Sequence, residues 1–265
     1  MKCKYCFAGF NNVESQIDLI NQLKTIELLK EFGFIKINFV GGEPFLIKQF
    51  EVLLKHASKL GFITSIVTNG TLITEDFLSR MHPFIDMIGV SIDSLNAETN
   101  MRIGRETKSM VPDNNYYSKL CKGIKSYGID LKVNTVVSKF NYNESYKSFI
   151  EEVNPLRWKI FQVMEIEGEN SIADLEVSKE EFNSFIGLNK VDNVSVVSEN
   201  NDLMRGSYLM IDPMGRFFDN TNGGYSLSQQ IAEVGVEQAL SKIQFSVDKF
   251  EERDGNYYKL TKNIA

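Results

Sequence analysis

Apolar, β-rich runs alternate with stretches of helical period along most of this chain, and that alternation limits what it can fold into. The segment 15–32 carries Ile17, Ile20, Leu23, Ile26, Leu28 and Leu29 near a 3.6-residue period and runs into Gly33, a residue suited to ending a helix. A short β-rich run follows at 35–40, then a helical stretch at 47–60 stopped by Gly61, then an apolar run at 62–67. The rhythm continues with helix at 75–81, strand at 85–92, helix at 116–127 before Gly128, strand at 129–137, helix at 144–153 and strand at 158–166. Strand and helix repeating in this way predict parallel sheet with helical crossovers, either a barrel or a doubly wound sheet, and we take the barrel.

Beyond Gly168 the rhythm weakens. A helix at 179–186, a short strand at 194–197 and a hairpin built on 207–212 and 216–219 around the turn Pro213, Met214, Gly215 are expected. The expected organisation is a barrel core over 1–168 and a C-terminal extension over 169–265 packed on it as one structural unit.

A net charge of -6 supplies no overall field for a polyanion, which argues against direct nucleic-acid binding and makes any phosphate the business of a local site. No apolar run approaches the length of a membrane span, and no secretory signal or internal repeat is found, so a cytoplasmic protein without a membrane partner is expected. The sequence leaves the oligomeric state open. Three cysteines, Cys3, Cys6 and Cys121, are too few and too odd in number for a disulfide framework. Cys121 falls in a predicted helix and is expected to be a buried apolar thiol, and Trp158 a core residue.

Cys3 and Cys6 form a C-x2-C pair with Tyr5 just before the second cysteine. Alone, such a pair is compatible with a metal site, a redox pair or chance. Gly41, Gly42, Glu43 and Pro44 follow the run 35–40 directly, at the end of a strand where barrel enzymes place their chemistry, although Gly-Gly before Pro also describes an ordinary turn. Thr68, Asn69 and Gly70 end the next run, and Ser91 and Asp93 the one after, so polar groups gather at one rim.

Lysines inside strands are the other anomaly. Lys36 and Asn38 share a face of one run, Lys132 and Asn134 share a face of another, and Lys159 follows Arg157 and Trp158. A barrel strand is covered on both faces, so an ammonium there is costly unless it is paired or neutral. Three outcomes stay open: the lysines reach water at strand ends, they pair with carboxylates of the barrel, or they face a polyanionic ligand. No Walker A loop and no G-x-G-x-x-G after a strand occurs, so phosphate binding would rest on side chains.

The stretches KINFVGGEPF (36–45), SIVTNGTLI (65–73), SIDS (91–94), IGR (103–105), LKVNTVVSKFN (131–141), NPLRWKIFQ (154–162), IEGEN (166–170) and SYLMID (207–212) together resemble the viperin family of radical S-adenosylmethionine enzymes. NPLRWKIFQ followed by IEGEN is far more specific than GGEP, which many radical enzymes share. The resemblance implies an α/β fold: a partial (βα)6 radical S-adenosylmethionine barrel with a C-terminal extension. In that superfamily three cysteines spaced C-x3-C-x2-C hold a 4Fe–4S cluster on the loop after the first strand. Counting back from Cys3, the first of them and the strand before it fall ahead of Met1, so this chain is expected to begin inside the motif, its first strand missing.

The resemblance further implies radical dehydration of CTP, UTP or GTP. A 5′-deoxyadenosyl radical takes the ribose 4′ hydrogen, the 3′ hydroxyl leaves as water, and an electron and a proton complete a 3′-deoxy-3′,4′-didehydro nucleotide that can terminate viral RNA synthesis. Carried over by position, Cys3 and Cys6 are the metal ligands. Gly41, Gly42, Glu43, Asn69, Ser91 and Arg105 form the S-adenosylmethionine site. Lys36, Lys132, Asn134, Arg157 and Lys159 contact the nucleoside triphosphate. Tyr257 and Tyr258 lie where the family closes a tail over the substrate, and one of them is expected to donate the final proton. An electron donor such as flavodoxin or ferredoxin is the implied partner. The rival expectations are a nucleotide-binding or interaction protein without a cluster, and a peptide maturase, although the latter often carries cysteine-rich extensions and no cysteine follows Cys121.

Overall fold

The computed structural model describes residues 1–9 and 15–257. Six strands, β1 (Lys36–Phe39), β2 (Ile63–Thr68), β3 (Met87–Ser91), β4 (Asp130–Val137), β5 (Arg157–Gln162) and β6 (Ser195–Glu199), form one parallel sheet in that order. Helices α1 (Leu19–Phe32), α2 (Phe50–Lys59), α3 (Glu75–Met81), α4 (Ala97–Arg102), α5 (Asn114–Ser126), α6 (Lys147–Val153) and α7 (Lys179–Leu188) precede or connect the strands. Among the described residues β1 and β6 each have one neighbour, so the sheet is a partial barrel, open along one side.

Local chemistry fixes the helix ends. Asp18 accepts from the Asn21 N–H to start α1, and Gly33, at a φ of 107°, closes it in the left-handed conformation that glycine adopts without a Cβ penalty. Asp113 caps α5 in the same manner as Asp18 caps α1, and Ser178 with Glu181 forms a reciprocal capping box on α7.

Period two along the strands separates the faces of the sheet. Ile66, Ile88, Val90, Leu131, Val133, Val137, Trp158 and Ile160 join Leu54, Phe77, Tyr117, Ile124, Phe149, Ile150 and Phe185 from the helices in the main core. Trp158 and Cys121 are both fully buried there, as expected of core groups. The opposite face carries Lys36, Ser65, Gly89, Lys132, Asn134, Arg157 and Lys159.

The run 194–197, read from sequence as a strand of the extension, is β6 and pairs with β5 along its whole length. The anticipated hairpin is present and gains a third strand: β7 (Met210–Ile211), β8 (Arg216–Asp219) and β9 (Ser226–Gln230) form an antiparallel sheet. Short helices α8 (Asn201–Met204), α9 (Ile231–Val234), α10 (Val236–Leu240) and α11 (Val247–Glu252) complete this part. Phe217, Ile231, Val236 and Ala239 meet Ile26 and Leu29 of α1, Ala57 of α2 and Phe62 in a second core, which fastens the C-terminal region to the barrel. No helix among the described residues is long and apolar enough to cross a membrane.

Candidate active site

Two groups of residues stand on the polar side of the sheet, one at the carboxyl ends of the strands and one deeper between them. At the rim, the turn after β1 places Gly41 at a φ of 113°, a conformation that suits glycine. Glu43 reaches to the end of β2: one carboxylate oxygen accepts from the Thr68 hydroxyl at 2.7 Å, the other from the Asn69 N–H at 3.0 Å and its side-chain amide at 2.5 Å. Gly42 is exposed beside them, and Ser91 ends β3. The sequence-predicted Gly41, Gly42, Glu43, Asn69 and Ser91 thus share one rim.

The cysteine loop docks on the same rim beyond β3. Its backbone is held by the Lys2 N–H donating to the Gly104 carbonyl at 3.1 Å and the Lys4 N–H donating to the Ile103 carbonyl at 3.0 Å, and it turns where the Cys6 N–H donates to the Cys3 carbonyl at 3.1 Å. Asn170 donates to the Tyr5 carbonyl at 3.0 Å, which ties the IEGEN stretch to the loop. Tyr5 turns inward and donates its hydroxyl to Asp93 at 2.5 Å. Asp93 also takes Arg105, through Nε at 2.7 Å and Nη2 at 2.5 Å, and the Val136 N–H at 2.7 Å. Arg105, carried over as a cofactor contact, is therefore engaged with a buried carboxylate at the edge of the loop. Burial pushes the Cys3 thiol above its ordinary pKa, against the pull of Arg105, while Cys6 lies exposed.

Two thiols in one tight loop are a donor set suited to iron, and Cys3 and Cys6 fit as two ligands of a 4Fe–4S cluster. Among the described residues no group of three metal-ligating side chains gathers, and Cys121 is buried in α5 away from the loop, so the third thiolate of such a cluster is not in this set. At the rim the free backbone of Gly42 and the fixed carboxylate of Glu43 fit a zwitterionic amino-acid group such as the methionine end of S-adenosylmethionine.

Deeper on the same face the strand register brings the cations together. Lys132 lies beside Arg157, and Asn134 beside Lys159, on adjacent strands. Gly89 makes room for them: a Cβ there would fall 2.7 Å from the Lys132 Cε and 3.3 Å from the Asn134 amide nitrogen. Burial, reinforced by Lys159, Lys36 and Arg157, pushes the Lys132 pKa far below its ordinary value. Lys36 falls to about 7 through burial and then the charges of Lys159, Arg157 and Arg253. Lys159 falls to about 8 because burial outweighs the counter-charge of Glu199.

Of the outcomes left open by the sequence, Lys159 shows the second: it is ion-paired with the fully buried Glu199, and it donates to the Tyr208 hydroxyl at 3.1 Å. Tyr208 in turn donates to Glu199. Lys132 has no carboxylate of its own among the described ion pairs. The Ser65 hydroxyl, the side-chain amide oxygen Oδ1 of Asn134 and the Arg157 Nε are buried on this face without a hydrogen-bond partner, an arrangement that suits a polar ligand and costs stability without one.

The tail crosses the cation group. Tyr257 stacks on the Arg157 guanidinium, 4.1 Å from ring centre, and on the Lys36 ammonium at 4.2 Å, and it accepts a hydrogen bond from Lys36 at 2.6 Å. Its hydroxyl donates to the Met87 sulfur at 3.4 Å, and burial raises its pKa to about 12. Tyr258 lies outside the described residues. Sequence reasoning missed Glu199, Tyr208, Arg253 and Asp254. A carboxylate just beyond the β-rich run 194–197 is the signal that points to Glu199; Tyr208 lies inside the SYLMID stretch, and Arg253 and Asp254 sit in a stretch without period.

Residues 1–153 match the profile of the radical SAM superfamily. An S-adenosylmethionine-dependent nucleotide dehydratase of Flammeovirga pacifica is 44% identical over 265 residues, spanning 97% of this chain and 91% of that protein. A protein of the same description from Lacinutrix mariniflava is 41% identical and covers 97% of this chain, which spans only 56% of that longer protein. Among solved structures, native anSMEcpe with bound AdoMet superposes with a TM-score of 0.66 over 95% of this chain and 78% of that one; at 17% identity the likeness speaks for the fold.

Proposed function

This chain belongs to the radical S-adenosylmethionine superfamily and, within it, to the nucleotide dehydratases, and from that membership we propose that it removes water from the ribose of CTP, UTP or GTP. The product would be a 3′-deoxy-3′,4′-didehydro nucleotide, an RNA chain terminator suited to antiviral defence. The single observation that supports a triphosphate as ligand is the cation group of Lys36, Lys132, Arg157 and Lys159 on one polar face, with buried polar atoms beside it that lack partners.

The cofactors of the superfamily are a 4Fe–4S cluster and S-adenosylmethionine. When bound they supply one-electron chemistry that removes a hydrogen atom from the ribose. The chain's own residues do the rest. In this proposal Cys3 and Cys6 ligate iron, while Gly41, Gly42, Glu43, Asn69, Ser91 and Arg105 frame S-adenosylmethionine, Arg105 through its grip on Asp93. Lys36, Lys132, Asn134, Arg157 and Lys159 hold the triphosphate and orient the ribose below the rim. A polyanion repays the cost of keeping these cations buried, because opposite charge restores the protonated forms. Tyr257 keeps its proton across the physiological range and is a candidate to deliver it to the product radical once reduced; Tyr258 is the alternative. A low-potential electron donor such as flavodoxin or ferredoxin, and a reducing cytoplasmic setting, complete the proposal.

The test is direct. The protein, with and without an upstream extension that supplies a third cysteine, is reconstituted anaerobically with iron and sulfide counted; the extended form is incubated with S-adenosylmethionine, dithionite and each triphosphate, and the mixture is analysed by mass spectrometry. Formation of 5′-deoxyadenosine together with a nucleotide lighter by one water is expected, and Lys132→Ala is expected to abolish the second while keeping the metal content. A protein that binds metal and S-adenosylmethionine yet dehydrates no triphosphate refutes the proposal.

A further inference from the structure

Arg157 spends its hydrogen bonds on the tail. The guanidinium is buried in β5, and its Nη1 meets the Asp254 carboxylate at 2.5 Å while Nη2 donates to the carbonyls of Arg253 and Asp254 at 3.1 Å each. A carboxylate offers the fork of a guanidinium the same charge-assisted acceptors that a phosphate offers, so the two ligands exclude one another at Nη1. Asp254 differs from the other carboxylate of this region. Glu199 is part of the wall, with no exposed side-chain surface; the Asp254 side chain is 44% exposed and stands at the flank of the site. Its backbone adopts a φ of 52°, in the left-handed region where glycine is unstrained and a side chain carries a cost. Aspartate tolerates that backbone better than most side chains, and here its charge also stands opposite Arg157.

Resting on the assignment of this face to a triphosphate, we infer that Asp254 is an internal competitor of the substrate's phosphates, which holds Arg157 in the free protein and gives way when a polyphosphate binds. Asp254 then sets the affinity of the site. Removing its charge weakens the hold on Nη1, while the backbone carbonyls keep Nη2, and removes one repulsion from the bound anion. Because the carboxylate is nearly half exposed, the gain is modest, about three- to tenfold in dissociation constant.

Inorganic tripolyphosphate is the probe, since its binding needs neither cluster nor S-adenosylmethionine. Isothermal titration of the full chain compares the wild type, Asp254→Asn, Asp254→Gly and Lys132→Ala. Asparagine keeps the shape and tolerates the left-handed backbone, so Asp254→Asn isolates the charge. Asp254→Asn is expected to bind three- to tenfold tighter, Asp254→Gly at least as tightly as Asp254→Asn, and Lys132→Ala more weakly than wild type. Tighter binding by Asp254→Asn supports the competitor, including the case in which only that variant binds measurably. Wild-type binding that weakens in Lys132→Ala but is unchanged or weaker in Asp254→Asn overturns the competitor and leaves the triphosphate site standing. No binding by either wild type or Asp254→Asn overturns both.

Discussion

Buried charge governs this protein at the scale of single residues. Asp93, almost fully buried, collects Tyr5 from the cysteine loop, Arg105 from the turn after α4 and a backbone N–H from β4. Replacing it by asparagine leaves the buried Arg105 guanidinium without a counter-charge, which costs about 3–5 kcal/mol when one partner of a buried pair is removed. Urea unfolding of Asp93→Asn is expected to show a loss of that order, and a loss below roughly 1 kcal/mol would mean that Arg105 finds water or another acceptor. Residues of this kind were only half legible beforehand. Lys36, Lys132 and Lys159 stood out in the sequence because an ammonium inside a β-rich run violates the expected pattern. Glu199, which neutralises one of them, sits at a strand end where an acidic residue raises no alarm, and Asp254 acquires meaning only when the tail folds across β5.

Among the elements, the docking of residues 2–4 against 103–104 is the one that positions the thiols. Gly104 has a φ of 79°, and a Cβ on it would strike the Lys2 carbonyl, a backbone atom that cannot swing aside. Gly104→Ala therefore combines left-handed strain with a collision, about 1–3 kcal/mol for the strain alone. The loop is expected to lift before the barrel unfolds. Cys3, at present held under burial that opposes its ionisation, would then react faster with an aromatic disulfide reagent, while circular dichroism stays unchanged. Equal thiol reactivity in the two proteins would show that the loop is held elsewhere. Elements with clear period were readable to within a turn: the runs 35–40, 62–67, 85–92, 129–137 and 158–166 all became strands of the main sheet. Residues 93–115, which hold α4, show no helical period in the sequence, because that helix is anchored by Asn96 capping and by Asn100 donating to the Ser94 and Pro112 carbonyls and not by an apolar stripe. Helices α9 and α10 are short pieces ordered by the core they complete, β9 is held by its pairing with β8, and α11 buries no side chain, so none of them shows a period in the sequence.

For the whole molecule, the crowded lysines couple ligand binding to pH. Lys36 and Lys159 have folded pKa values of about 7 and 8 against 10.5 in an open chain, and Lys132 is displaced in the same direction. The unfolded chain therefore binds more protons between those values, so stability rises with pH across that window. A bound polyanion reverses the shift, protonates the lysines and takes protons from solution. At pH 8 the binding of CTP is expected to take up about one to two protons, seen as a dependence of the titration heat on the ionisation enthalpy of the buffer, with affinity falling toward pH 10. Heats that do not depend on the buffer would show that the ammonium groups are already charged in the free protein.

The way the tail is held bears on what its displacement would cost. Tyr257 spans the inner face of the sheet, meeting Lys36 of the first strand and Arg157 of the fifth through ring contacts and one hydrogen bond, and Met87 of the third through its hydroxyl. All of these are side-chain contacts, so lifting the ring away breaks no strand pairing and leaves the six-stranded ladder intact.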